Sequence, residues 1–213
     1  MMTKDVDLLV VEPGLFKTWR IEHQQRGKGG DGVLNGTAFS AAGGNFVNAG
    51  VQAGDVVTLA SIDGMIDGCY EVVGVVSATQ LTVSVLRADD GHAAIPVGSG
   101  NSLIWRISSF APQRALAERR LLDRLELADD FAAGLSEASL WRLRAAAVSA
   151  ALAMIFESLC QEETDEEVFG RKKDVYQQAV ETATEQLRLE FDVDGDGETD
   201  QTLRGDSVRM ERQ

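Results

Sequence analysis

The sequence predicts an α+β protein: a helical hairpin or bundle, a small N-terminal β-barrel-like or β-sandwich domain, and an extended C-terminal tail. Three observations predict it. From Ser136 to Leu159 the chain runs without Gly or Pro, and its apolar residues fall on two adjoining helical stripes. From Thr37 to Ile107 it breaks instead into short β-branched runs separated by turn compositions. After Phe191 the apolar period stops, and acidic and then arginine-bearing sequence takes over. The boundaries drawn from these changes are an N-terminal arm over 1–15, a β-domain over 16–109, a helical domain over 110–191, and an acidic turn and tail over 192–213. Within the β-domain, 26–36 is expected to be a flexible, exposed, glycine-rich loop.

Taken in chain order, Asp5-Val6-Asp7-Leu8-Leu9-Val10-Val11 ends at the break Pro13-Gly14, and Phe16 to His23 has the look of a strand. Arg26-Gly27-Lys28-Gly29-Gly30-Asp31-Gly32 is too rich in Gly for an element interior, and it lacks the closing Gly-Lys-Ser/Thr of a phosphate loop. Strands are expected at Asp55–Leu59, Cys69–Val76 and Gln80–Leu86, with turns at Asp63–Gly68 and Ser77–Thr79. Trp19-Arg20-Ile21 recurs as Trp105-Arg106-Ile107, which suggests first and last strands lying side by side to close the domain.

Pro112 suits a first helical turn, and Leu116, Leu121, Leu122 and Leu125 carry that helix to about Ala128. Arg114, Arg119, Arg120 and Arg124 are expected on its exposed side. They form the chain's basic cluster, either a solvated face or a dock for an acidic face of a neighbouring subunit.

In the next helix Leu140, Leu143, Ala147, Ala151, Met154 and Ser158 share one stripe. Trp141, Ala145, Val148, Leu152, Ile155 and Leu159 share the other. Two apolar stripes require cover on two sides, either both from the subunit's own core, as in an ordinary central helix, or one from the core and one from a neighbour. In the second case Trp141, Val148, Leu152 and Ile155, with Arg120 and Arg124, are the expected subunit-interface residues. A following helix from about Thr164, with Glu167 three residues on as in a capping box, shows a single stripe through Phe169, Lys173, Tyr176, Val180, Ala183 and Leu187 and extends to about Glu190. The connection between the two is short enough to make them antiparallel neighbours.

Composition narrows the function. The 213 residues are 44% hydrophobic and 25% charged, as in a soluble globular protein, with a formal net charge of −14. That charge argues against gripping nucleic acid through phosphates, and it suits a surface that DNA passes without sticking. No apolar run is expected to be long enough to span a bilayer and no signal-peptide core opens the chain, so a protein used without secretion and without a membrane is expected. Cys69 and Cys160 are expected as reduced, partly buried thiols.

His23 and His92 lack the spacing of a metal or nucleophile site, and no hydrolase, redox or zinc-protease motif occurs. An enzyme is not expected. Asp192, Asp194, Asp196, Glu198 and Asp200 place oxygens at alternate positions around Gly197 as in a calcium loop, but the twelfth position, normally a bidentate Glu, is Leu203. Two readings stand, a weak calcium site or, favoured, an acidic turn that ends the helix; no other cofactor is expected.

A family resemblance lies in the same region. The second helix, from Tyr176-Gln177-Gln178-Ala179 to Leu187, ends in Phe191-Asp192-Val193-Asp194-Gly195-Asp196-Gly197 and is followed by Arg204, Arg209 and Arg212. This arrangement looks like the head-to-tail adaptor (connector, neck) proteins of tailed bacteriophages. The stretch from Phe46 to Val57, then Tyr70–Val75 and Leu81–Val83, is similar to small barrel modules of virion structural proteins. Adaptors are mainly helical, so a β-domain of this size is a departure. The resemblance implies a structural virion protein assembled in the host cytoplasm: a homo-oligomeric ring, commonly twelve copies, between head and tail. Its implied partners are the portal protein above, reached through Leu203, Arg204, Val208, Arg209, Met210 and Arg212, and a tail, stopper or tail-terminator protein below. DNA would pass through the channel without specific binding. Two alternatives are a stopper or tail-completion protein whose β-domain makes the ring, and a calcium-dependent binding module.

Overall fold

The structure, a computed structural model, describes residues 2–18, 24–127, 135–160, 166–192 and 200–204. It is mixed α+β, with a closed six-stranded antiparallel barrel and several helices. The chain divides into two compact units, Lys4–Ala111 and Met1–Thr3 with Pro112–Gln213.

The first unit begins with helices α1 (Asp5–Val11) and α2 (Leu15–Thr18) where an arm and a strand were expected. The Asp7 carboxylate accepts from Lys4 N–H at 2.7 Å, which satisfies a donor that a helix start leaves open. Buried Asp5 accepts from Phe110 N–H at 3.1 Å, and Phe16 meets Phe110 edge to face at 5.2 Å. Contacts that distant in sequence give Asp5–Val11 its helical cover, and no local pattern announces them.

Strands β1 (Gln25–Gly36), β2 (Ala38–Ala41), β3 (Val56–Ala60), β4 (Asp67–Ser77), β5 (Gln80–Ser84) and β6 (Gly98–Ser108) close in the order β1-β2-β5-β4-β3-β6. The expected loop at 26–36 is thus a strand. It pairs with β2 (Val33 with Ser40) and with β6 (Gly29 with Trp105), with register shifts that glycine accommodates. Its glycines answer to a steric demand from the opposite strand. A Cβ on Gly29 would lie 2.6 Å from Trp105 Nε1, and one on Gly27 would lie 3.0 Å from the same ring. Phe39, Phe46 and Trp105 meet edge to face or tilted at 5.5–6.2 Å among Leu34, Val57, Leu59, Val72, Leu81, Val83, Leu103 and Ile107. The closing pair is β1 with β6. Trp105–Ile107 lies in it, and Trp19–Ile21 lies outside the described residues.

The second unit is built on α3 (Ala111–Arg124), α4 (Glu137–Cys160), α5 (Glu166–Glu185) and a two-stranded sheet of β7 (Arg188–Phe191) and β8 (Gln201–Arg204). Helix α3 stops short of Ala128 in a Schellman arrangement. Leu127 N–H reaches Leu122 O, Glu126 N–H reaches Asp123 O, and Glu126 takes φ +52 where glycine is usual. Ser136 is the N-cap of α4, its Oγ 3.3 Å from Ser139 N–H, and Ser139 Oγ accepts from Glu190 N–H at 2.9 Å. The N-terminal part of α4 (Leu143, Ala146, Ala147) packs with Leu121, Leu125, Leu187 and Leu189. Its C-terminal part packs on α5, Phe156 stacking on Phe169 and Tyr176 at 6.2 and 5.8 Å.

Several expectations fail here. Arg114 is buried and donates to Thr3 O, while Glu118 accepts from Met2 and Thr3 N–H at 3.0 and 2.8 Å, so a far terminus rather than solvent covers that face. Leu116 is exposed. Helix α5 ends at Glu185, and Leu203 and Arg204 belong to β8, where Leu203 packs against the helical core. Backbone pairing with Leu189 and Arg188, invisible to periodicity, shortens the expected tail. By length and composition alone, α4 can cross a membrane (24 residues, mean hydropathy 1.6), contrary to expectation, though 56% of that apolar window is buried within the protein.

Candidate functional site

Val148, Leu152 and Ile155, expected to face a neighbouring subunit, are buried within the folded chain, Leu152 completely. Their burial leaves these three almost no surface to offer. Trp141, one turn into α4 and on the same stripe, remains 67% exposed. It is the one large aromatic side chain among the exposed large hydrophobic residues described.

On a different face of α4, about two and a half turns further on, α3, α4 and α5 enclose a groove of about 390 Å³. Leu121, Ala150, Ala153, Met154 and Val180 give it an apolar floor. Arg120 and Arg124, both exposed, line its α3 side. Glu157 and Glu181 line the other, and Glu157 is engaged by Lys173 at 3.7 Å. The two expected interface arginines therefore share one groove, away from the buried part of the α4 stripe.

The barrel has an exposed apolar feature that sequence reasoning missed. In the β3–β4 connection Ile62 is 91% and Met65 84% exposed. The turn under them is rigidly bonded: Asp63 Oδ1 accepts from Ser61 Oγ at 2.5 Å and Met65 N–H at 3.0 Å, Ser61 Oγ accepts from Ile66 N–H at 2.9 Å, and Ser61 N–H donates to Ile66 O at 2.7 Å. Those two donors hold the Asp63 carboxyl below the usual carboxylate range. Gly64 supplies the φ of +74 that the turn requires. The available signal was two large apolar residues inside a run that otherwise reads as a turn.

The remaining polar groups serve the barrel itself. Arg87 and Glu71, both buried, form a two-point pair at 2.6 and 3.1 Å, which raises the arginine's pKa, and Arg87 also donates to His92 O. Asp31 accepts from Trp105 Nε1–H at 2.9 Å and Gly43 N–H at 2.6 Å, and both bonds lower its pKa. Burial pushes the Cys69 thiol up, away from reactivity, and both cysteines are free. His92 lies 3.4 Å from Asp89 on the surface, and His23 lies outside the described residues. No three His, Cys, Asp or Glu side chains converge to hold a metal among the described residues. Of the expected calcium ligands, Asp192 and Asp200 flank the strand ends, with Asp200 N–H donating to Phe191 O; Asp194, Asp196 and Glu198 lie outside the described residues. So do Val208, Arg209, Met210 and Arg212 of the expected portal-contacting tail.

Fold and surfaces together define a two-unit α+β chain with large apolar side chains exposed at Trp141, Ile62 and Met65. No protein-family model, curated protein or solved structure matches it.

Proposed function

We propose that the chain is a structural virion protein, a head-to-tail adaptor forming a ring beneath the portal, joining capsid to tail and surrounding the DNA channel. In this reading α4 and α5 are a helical hairpin that forms the ring wall. The residues after Arg204, including Val208, Arg209, Met210 and Arg212, reach the portal, and the tail or stopper protein binds the other face. The observation that carries the reading is Trp141: a large aromatic side chain on a rigid core helix, left in water by its own unit, is what a self-associating subunit needs. The net charge of −14 suits a channel through which DNA slides.

The test is the native mass of the purified chain beside Trp141→Ser, with and without chelator. A ring mass is expected for the parent, a smaller species with unchanged helical signal for the variant, and no response to chelator. A monomeric parent overturns the reading, and dissociation by chelator favours the calcium-dependent module. The exposed Ile62 and Met65 favour a second reading, a stopper ring made by the barrels alone. Under it, Trp141→Ser leaves the native mass unchanged.

A further inference from the structure

Two features described above remain without an occupant: a rigid tip that presents two apolar side chains, and a groove with an apolar floor and a basic side. We propose that the Ile62–Met65 tip of one copy docks into the α3/α4/α5 groove of a neighbouring copy, making a head-to-tail contact between subunits. The inference rests on the ring reading and adds a second contact to the one at Trp141.

Shape is the first argument. The tip is ordered by its own hydrogen bonds, through Ser61, Asp63 and Ile66, before any partner arrives, so docking costs little further ordering. Its apolar ends are Ile62 and Met65, and the groove offers Leu121, Met154 and Val180 to receive them. A flexible Met opposite a Met-lined floor adapts to an imperfect fit.

Charge is the second. A chain of net charge −14 repels its own copies, so a contact between copies needs a local exception. Asp63 sits at the tip with its carboxyl held ionised, while Asp67 just beyond it is engaged by Lys17 at 2.8 Å. Arg120 and Arg124 line the groove on the α3 side, and across from them stand Glu181 and Glu157, the latter engaged by Lys173. Acidic tip and basic wall are thus complementary, on a chain whose surface is otherwise dominated by carboxylates.

Symmetry is the third. Tip and groove are different surfaces, so each copy offers one to each neighbour, and a contact of that heterologous kind closes into a ring when its rotation allows.

The experiment uses full-length chains carrying Cys69→Ser and Cys160→Ser, each with one new thiol: a tagged Met65→Cys chain and an untagged Met154→Cys chain. They are mixed under mild oxidation, and the native mass of the unmodified parent is measured in parallel. A disulfide between tagged and untagged chains is expected. Separately, Ile62→Glu and the pair Arg120→Glu with Arg124→Glu, all at exposed positions, are expected to weaken association about tenfold or more with the circular dichroism unchanged. A ring-sized parent that gives only 65–65 or 154–154 bonds, or none, overturns the docking and leaves the ring reading standing. A monomeric parent overturns both. An intrachain bond in a Met65→Cys/Met154→Cys double variant at high dilution assigns the tip to its own groove and likewise overturns the proposal.

Discussion

The barrel and the helical unit bury apolar surface by opposite means. The barrel closes a sheet on itself, so no strand edge is left open and Phe39, Phe46 and Trp105 are sealed inside by their own sheet. The helical unit is layered: α4 needs α3 on one side, α5 on another and β7 across its N-terminal turns. Closure completes itself, whereas layering extends only as far as the covering elements reach. Where cover ends, Trp141 stands in water, and the groove beside α3 stays open. In the barrel the two most exposed large apolar residues, Ile62 and Met65, lie in a turn.

The comparison breaks most sharply at Leu152. Leu152→Asp places a carboxylate in a site with no exposure and removes a core side chain, at a cost of at least about 4 kcal/mol. Loss of the helical circular dichroism is expected while the Trp105 indole resonance of the barrel persists. Retained helix with a smaller native mass would instead put Leu152 at a subunit interface.

A smaller effect is expected at Gly29. In Gly29→Ala the new methyl would lie 2.6 Å from Trp105 Nε1 and 2.9 Å from its Cε2, and overpacking of that kind costs about 1–3 kcal/mol. Denaturant titration followed at the Trp105 indole should show the loss in the barrel transition, with the helical transition unmoved. An unaffected barrel would mean that β1 tolerates side chains where it passes Trp105.

The smallest effect is a pH dependence. Asp31 is held below its ordinary pKa by Trp105 and Gly43, so its contribution is present in full above the unfolded carboxylate value of about 4 and is lost as pH falls through the lower folded value. Acid titration of the parent should therefore weaken the barrel below about pH 4 more than it weakens Asp31→Asn. Parallel acid profiles for the two would remove Asp31 as the strap between β1 and the turn at Gly43.

The positions of β3, β4, β5, α3 and α4 were legible in the sequence, because alternation and the helical period record directly which residues share a face. Ser136 as the start of α4 was legible too, since its hydroxyl caps locally. The strand at Gln25–Gly36 was not: glycines carry no side chain to alternate, and their reason is an indole on β6, far along the chain. Arg114 read as solvent-facing because nothing near it in sequence names Thr3 as its partner. The same limit governed the candidate site. Periodicity placed Trp141, Val148, Leu152 and Ile155 on one stripe, and it could not say that three of them are buried in the folded chain and one is not. The sequence by itself determined which residues must be buried together. Only the tertiary structure decided what buries them, because cover is supplied by elements whose arrival depends on the path of the whole chain.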